Sequence, residues 1–194
     1  MDAALPGYLS GVSVSNNAVV SAALGYVEAN PAELDTVRDL VILALLGPPI
    51  TRCSTFPAHL ACRAVVMSPD QHVLTVSGTR STGWQFPGGH IDDEDSSLLG
   101  CALRQLSART GLDPNALRPE SVLPCDLDAV PLAAAGDVDE PEHVHYDFRY
   151  LLHLPSRDLG VGVTGDARWV PVGDVPGRLG TKLRRGSPTS AALR

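Results

Sequence analysis

Lysine is almost missing from this chain. Lys182 is the only one in 194 residues, and arginine supplies the rest of the 15 basic side chains. With no GxxxxGK[ST] run, the phosphate-gripping lysine of a P-loop is excluded. A basic stripe is missing too: 22 acidic residues against 15 basic ones give a net charge of −7. Nothing in that balance neutralises a phosphate backbone, so no nucleic-acid partner is expected. Long hydrophobic runs are also lacking. The longest, Leu40–Leu46, is far short of the ~20 residues that span a bilayer. The first basic residue is Arg38, so a basic signal-peptide region is not expected either. A cytoplasmic protein with no membrane partner is the expectation. The four cysteines, Cys53, Cys62, Cys101 and Cys125, show neither CxxC spacing nor a disulfide framework, and Cys62 reads as a reduced core residue.

What is present suffices for a core. Hydrophobic residues make up 44% and mean hydropathy is +0.05, which excludes wholesale disorder. The length suits one domain with an appendage rather than two domains. A short helix is expected around Asn17–Val27. A clearer one follows, with Asn30 as N-cap, Pro31 at its first position, and Leu34, Val37, Val41, Ala44 and Leu45 at helical spacing. Gly47-Pro48-Pro49 ends it. Strands are predicted at Leu60–Val66, His72–Val76, Trp84–Phe86, within Ser121–Leu127, at Val144–Leu154 and at Arg168–Val172. In Val144–Leu154 the alternation is clean. Val144, Tyr146, Phe148 and Tyr150 share one face, and His145, Asp147 and Arg149 share the other, with His143 in phase with them. Ser96–Thr110 carries an apolar stripe and stops at Gly111, the pattern of a helix. Strands, a helix and more strands argue for an α/β or α+β sandwich.

Residues 87–112 carry most of the functional information. Gly88-Gly89-His90, expected in a loop, leads through Asp92, Asp93, Glu94 and Asp95 into the predicted helix, where Arg104, Gln105, Ala108 and Arg109 precede Gly111-Leu112. This stretch resembles the Nudix box. Gly89 stands at its opening glycine, Asp95 at its first glutamate, Arg104 at its arginine, Leu106 and Leu112 at its aliphatic positions, and Gly111 at its closing glycine. The interval from Asp95 to Arg104 is one residue longer than the family pattern. His59 to Val66, Trp84 to His90, His145 to Tyr150 and Arg168 to Pro171 also resemble family strands. The resemblance thus spans 58–176, with 1–57 as an N-terminal helical extension and 177–194 as a flexible tail. It implies an α/β fold, a Nudix-like α/β/α sandwich. It also implies an ancestral hydrolysis of nucleoside-diphosphate-linked substrates with Mg²⁺.

The chemistry departs from the pattern. Three helical positions that hold glutamates in the family hold Gln105, Ala108 and Arg109 here. Spacing i, i+3, i+4 puts them on one helix face, but an amide, a methyl and a guanidinium do not make a hard-cation site. Four readings follow. The first is a protein that binds a nucleotide or diphosphate-like small molecule with impaired or altered catalysis. Gly88, Gly89, His90, Arg109 and Trp84 are its ligand-binding candidates, and Asp95 and Arg104 its catalytic ones. In the second, an active hydrolase takes replacement ligands from Asp92, Asp93, Glu94 and Asp95, or from Asp137, Asp139, Glu140 and Glu142. In the third, Arg104 and Arg109 hold phosphate without a metal; the alternative is that Arg104 caps the loop through carboxylates. The fourth is a histidine-based site for Zn²⁺ or Fe²⁺, with His90, His145, Asp147 and Asp95 as candidate ligands and His59 and His143 as further ones. Trp84 and Trp169 otherwise read as core or pocket walls, and no oligomeric state is expected from the sequence.

Overall fold

Two long strands run side by side through the centre of the fold. β1 (Ala58–Met67) and β7 (His143–His153) pair in parallel over ten residues, from Ala58 beside Val144 to Met67 beside His153. A computed structural model describes residues 13–78, 83–134, 141–156 and 167–186. The remaining strands join these two. β2 (His72–Ser77) and β4 (Gly88–His90) pair with β1. β5 (Arg118–Pro119) and β6 (Asp126–Leu132) pair with β7. β3 (Trp84–Gln85) and β8 (Ala167–Pro171) pair with β2. Among the described residues the result is one mixed eight-stranded sheet.

Alternation along β1 and β7 sends apolar side chains to both faces. Leu60 and Cys62 of β1 and Tyr146, Phe148 and Tyr150 of β7 meet the helices α1 (Asn16–Ala29), α2 (Leu34–Leu46) and α3 (Leu98–Thr110). On the other face, Val65, Met67 and Leu151 meet Leu179 and Leu183 of α4 (Gly177–Gly186). Helices therefore cover both faces of the sheet, as the α/β sandwich requires. No helix among the described residues is long and apolar enough to cross a membrane.

Local chemistry explains where elements begin and end. The Ser97 hydroxyl accepts the Gly100 N–H and starts α3, and Gly111, in the left-handed region at φ 72°, ends it. The expected N-cap at Asn30 differs. Pro31–Glu33 form a single 3₁₀ turn, and α2 begins only at Leu34. The Asn30 side-chain amide instead donates to the Tyr26 carbonyl, finishing α1. Gly88–His90, expected in a loop, is a short strand, because Cys62 and its neighbours offer it a partner edge. The strand expected within Ser121–Leu127 lies later, at Asp126–Leu132.

The segment from Gly177, expected to fray, forms α4, and residues 187–194 lie outside the described ones. The physical reason is an ion-pair network that sequence pattern does not display. Asp126, fully buried on β6, accepts from Arg149 at 2.8 Å, Arg178 at 3.0 Å and Lys182 at 3.2 Å. Lys182 also pairs with Glu33 at 2.9 Å, and Glu33 accepts the Tyr26 hydroxyl. The single lysine thus ties α4 to the N-terminal helices through Glu33 and Tyr26, and to β6 through the buried Asp126.

Burial alone would raise the Asp126 carboxyl, but Arg149, Arg178 and Lys182 outweigh it and hold the group below its ordinary value. Its charge therefore stabilises the fold above the unfolded carboxylate value, and that contribution fades as pH falls through the lower folded value. Asp126→Asn leaves three cations around a neutral amide. It is expected to lower the unfolding free energy by about 3 kcal/mol at pH 7 in urea titrations. The difference from wild type should shrink below about pH 4.

Candidate functional site

Strand register puts four histidines in one place. β1 and β7 set His59 beside His145, and β4 sets His90 beside Ala61, one step along the same face. His143 precedes His145 by two residues and shares its face. The small Ala61 side chain leaves space between His90 and Asp147, its partners on either side. The His90 Nε2 lies 3.2 Å from the Nε2 of His59 and 3.2 Å from that of His145. Ring centroids of His59, His90 and His145 are 4.6–4.9 Å apart, and His143 stacks on His59 at 4.8 Å. Phe56 meets the His59 and His143 rings edge-on.

The protonation of these rings is set by their surroundings. The His59 Nδ1 lies 3.0 Å from the Thr55 carbonyl, and the His143 Nδ1 2.8 Å from the Pro141 carbonyl. A carbonyl only accepts, so both rings carry their proton on Nδ1 when neutral and present Nε2 as a lone pair. Burial depresses the proton affinity of His59. Burial, reinforced by the adjacent His59, His90 and His143, depresses that of His145 to about 3. Both are neutral at physiological pH, the state in which imidazole ligates metal.

Next along the same face is a layer of charge. Asp147, 2% exposed, accepts from Arg63 Nε and lies 3.5 Å from Arg149, while its Oδ1 is buried with no hydrogen-bond partner among the described residues. These side chains border a cavity of about 460 Å³, whose walls include Trp84, Phe86, Val130 and Arg168. Trp84 is 43% exposed there, with the Arg168 guanidinium 4.1 Å from its ring centroid, so it is a pocket wall rather than core. A separate cleft of about 730 Å³ takes in Asp92, Asp93, Asn16 and Arg52.

The helix side of β4 is built differently. The His90 ring faces the histidines, but its carbonyl accepts from Gln105 at 2.9 Å and Arg104 at 3.2 Å. Arg104 also clasps Asp95 with two bonds, 2.8 and 2.6 Å, and Asp95 accepts the Asp92 N–H. Burial would raise the Asp95 carboxyl, yet the Arg104 clasp holds it low. Asp95 therefore closes the loop onto α3 and is not among the histidines. Gln105 is committed to the backbone, Ala108 is exposed, and Arg109 is half-buried with its Nε lacking a hydrogen-bond partner. Arg109 borders neither cavity described above. No carboxylate stands at 105, 108 or 109, a donor set that does not fit Mg²⁺. His59, His143 and His145 each bring a potential metal-ligating atom within 4.8 Å of the others, and the His90 Nε2 lies 3.2 Å from two of those rings. Glu142 is exposed, and Asp137, Asp139 and Glu140 lie outside the described residues.

A NUDIX domain model matches residues 57–190. The chain belongs to the NUDIX domain family. The match continues through α4, past the boundary at 176 that motif resemblance alone suggests. An uncharacterized Nudix hydrolase, NudL of Cronobacter sakazakii, is 32% identical over 133 residues, 62% of this chain and 68% of that protein. Among solved structures, a C. elegans Ap4A hydrolase aligns with a TM-score of 0.49 at 16% identity, covering 65% of this chain and 93% of the other. RenU, a Nudix hydrolase from M. smegmatis, aligns with a TM-score of 0.45 at 18% identity, covering 70% and 89%.

Within this Nudix domain, the opening glycines have identifiable duties. A Cβ on Gly88 would sit 2.4 Å from the Cys62 carbonyl, and one on Gly89 2.6 Å from the Gln105 amide carbon. Sequence pattern gave the glycine pair and His145, but nothing in it signalled that Gln105 turns to the backbone or that Arg63 and Arg149 bracket Asp147. Gly89→Ala is expected to displace Gln105 from the His90 carbonyl and lower the thermal midpoint. In a Gln105→Ala background the same change should be at least about 1 kcal/mol milder, a coupling that a double-mutant cycle in urea measures.

Proposed function

We propose that this Nudix domain binds a nucleotide or diphosphate-like small molecule and does not hydrolyse it by the usual Mg²⁺ route. The carrying observation is the state of the box helix. Its three ligand positions hold a backbone-bonded amide, a methyl and a guanidinium, and Asp95, the loop carboxylate bonded to the helix, is clasped by Arg104. A Mg²⁺ ion brought to that face meets no free carboxylate and one positive charge, Arg109. The glycine loop and the helix cap are intact, which fits retention of the domain for binding.

The cavity beside Trp84 suits such a ligand. An aromatic face at its mouth stacks on a planar base, and Arg168, Arg63 and Arg149 supply guanidinium groups for phosphate oxygens. Arg63 and Arg149 are already paired with aspartates, so Arg168 is the group best placed to meet a charged ligand. Family membership supports the nucleotide-related part of this reading.

Calorimetric titration with nucleoside diphosphates and dinucleoside polyphosphates tests it, alongside phosphorus NMR of the same mixtures with Mg²⁺ or Mn²⁺. Binding without turnover is expected. Trp84→Ala should weaken it by roughly tenfold, the loss of one base–aromatic stack. Mg²⁺-dependent hydrolysis by the wild type would defeat the proposal. Mg²⁺ alone should give no heat with the wild type, whereas Gln105→Glu, Ala108→Glu and Arg109→Glu combined should create a measurable Mg²⁺ site.

A further inference from the structure

We infer that His59, His90 and His145 hold a zinc ion through their Nε2 atoms, on the sheet face opposite the box helix. The inference rests on geometry and is independent of what the cavity binds. Tetrahedral zinc with Zn–N bonds of 2.0–2.1 Å places its nitrogens about 3.3–3.4 Å apart. The two measured separations from His90 are each 3.2 Å. In a ligand set drawn from three strands, two of the three separations therefore stand close to the spacing that one ion requires, and the ligand atoms of His59 and His145 lie within 4.8 Å of each other.

Hydrogen bonding among the rings alone does not explain this packing. The His59 Nδ1–H is given to Thr55, so its Nε2 has no proton. A proton on the His90 Nε2 serves the contact to His59, and the contact to His145 is then left either without a proton or with two opposed ones. Only one of the two short contacts is an ordinary hydrogen bond. A cation at the centre satisfies all three lone pairs at once.

The surroundings have the form that supports histidine ligands. The Thr55 carbonyl fixes the His59 tautomer and ring plane, as outer partners do at zinc sites. His59 is fully buried and His145 nearly so, so the imidazoles are held in place. The donor set is all nitrogen, which selects zinc or a similar transition metal over Mg²⁺ or Ca²⁺. Three ligands leave one tetrahedral position. His143 borders it, its ligand atom within 4.8 Å of those of His59 and His145.

The test is metal binding by the full chain prepared without a polyhistidine tag. Zinc titration followed by plasma mass spectrometry should give about one equivalent per chain. Cobalt(II) added to metal-free protein should produce the intense visible bands of a tetrahedral ion, and zinc should bleach them while Mg²⁺ does not. His90→Ala and His145→Ala should each weaken zinc binding by at least about tenfold. His72→Ala and His153→Ala, outside the cluster, should leave it unchanged. Absence of zinc uptake by the wild type, a weak octahedral cobalt spectrum, or full zinc affinity in His90→Ala would overturn the assignment. The cobalt spectrum is read on unaltered protein, so the outcome does not depend on the variants folding. A hydrolysis result at the box helix leaves this measurement untouched.

Discussion

The parallel pairing of β1 with β7 is the constraint on which the rest of the molecule depends. It is the longest pairing in the sheet, and every residue along it has a defined neighbour. Because the side-chain period is two, one register decides both faces together. It sends Leu60, Cys62, Tyr146 and Phe148 toward α1, α2 and α3, and the same register sets His59 beside His145 and Arg63 beside Arg149. A slip of one residue would put histidines and aspartate into the apolar core and aromatic rings into the polar layer. Apolar burial on one face thus enforces the arrangement of polar groups on the other.

β4 turns that arrangement into two distinct environments. Three residues long, it fits against β1 only because Gly88 approaches the Cys62 carbonyl without a side chain. His90 then faces both ways: its carbonyl is gripped by Gln105 and Arg104 of α3, and its ring joins the histidines. The residues at the box positions still serve the box geometry, through amide and guanidinium hydrogen bonds to the backbone. Gln105 and Arg104 hold the loop to the helix through the His90 carbonyl. One short strand therefore separates a helix face without carboxylates from a sheet face rich in nitrogen ligands.

Much of this was legible in the sequence, and the reasons are specific. Alternation in His143–Leu154 placed His143, His145 and Asp147 on one face because a buried sheet tolerates no other phase. The glycine loop and the α3 stripe carried the family resemblance, and the NUDIX match bears it out. Three features were not legible. Strand β4 depends on an edge that only β1 supplies. The Asn30 side chain turns back to α1, a choice between two neighbouring helices that capping preference alone does not make. Helix α4 looked like a basic tail because its partners, Asp126 and Glu33, lie 52 and 149 positions away from Arg178 and Lys182 respectively. Long-range charge pairing leaves no periodic trace.

The polar face also explains how histidines and charges coexist under burial. Asp126 and Asp147 are nearly inaccessible, yet each is matched by arginine, so the layer carries ion pairs rather than isolated charges. Arg149 touches both aspartates and links the two pairs into one network. His59 and His145 meanwhile have their proton affinity lowered by burial first and by neighbouring histidines second. Proton binding is thus disfavoured at nitrogens whose lone pairs converge. An ion bound by several lone pairs at once does not meet the same penalty, because it replaces ring-to-ring repulsion with a bond to each ring.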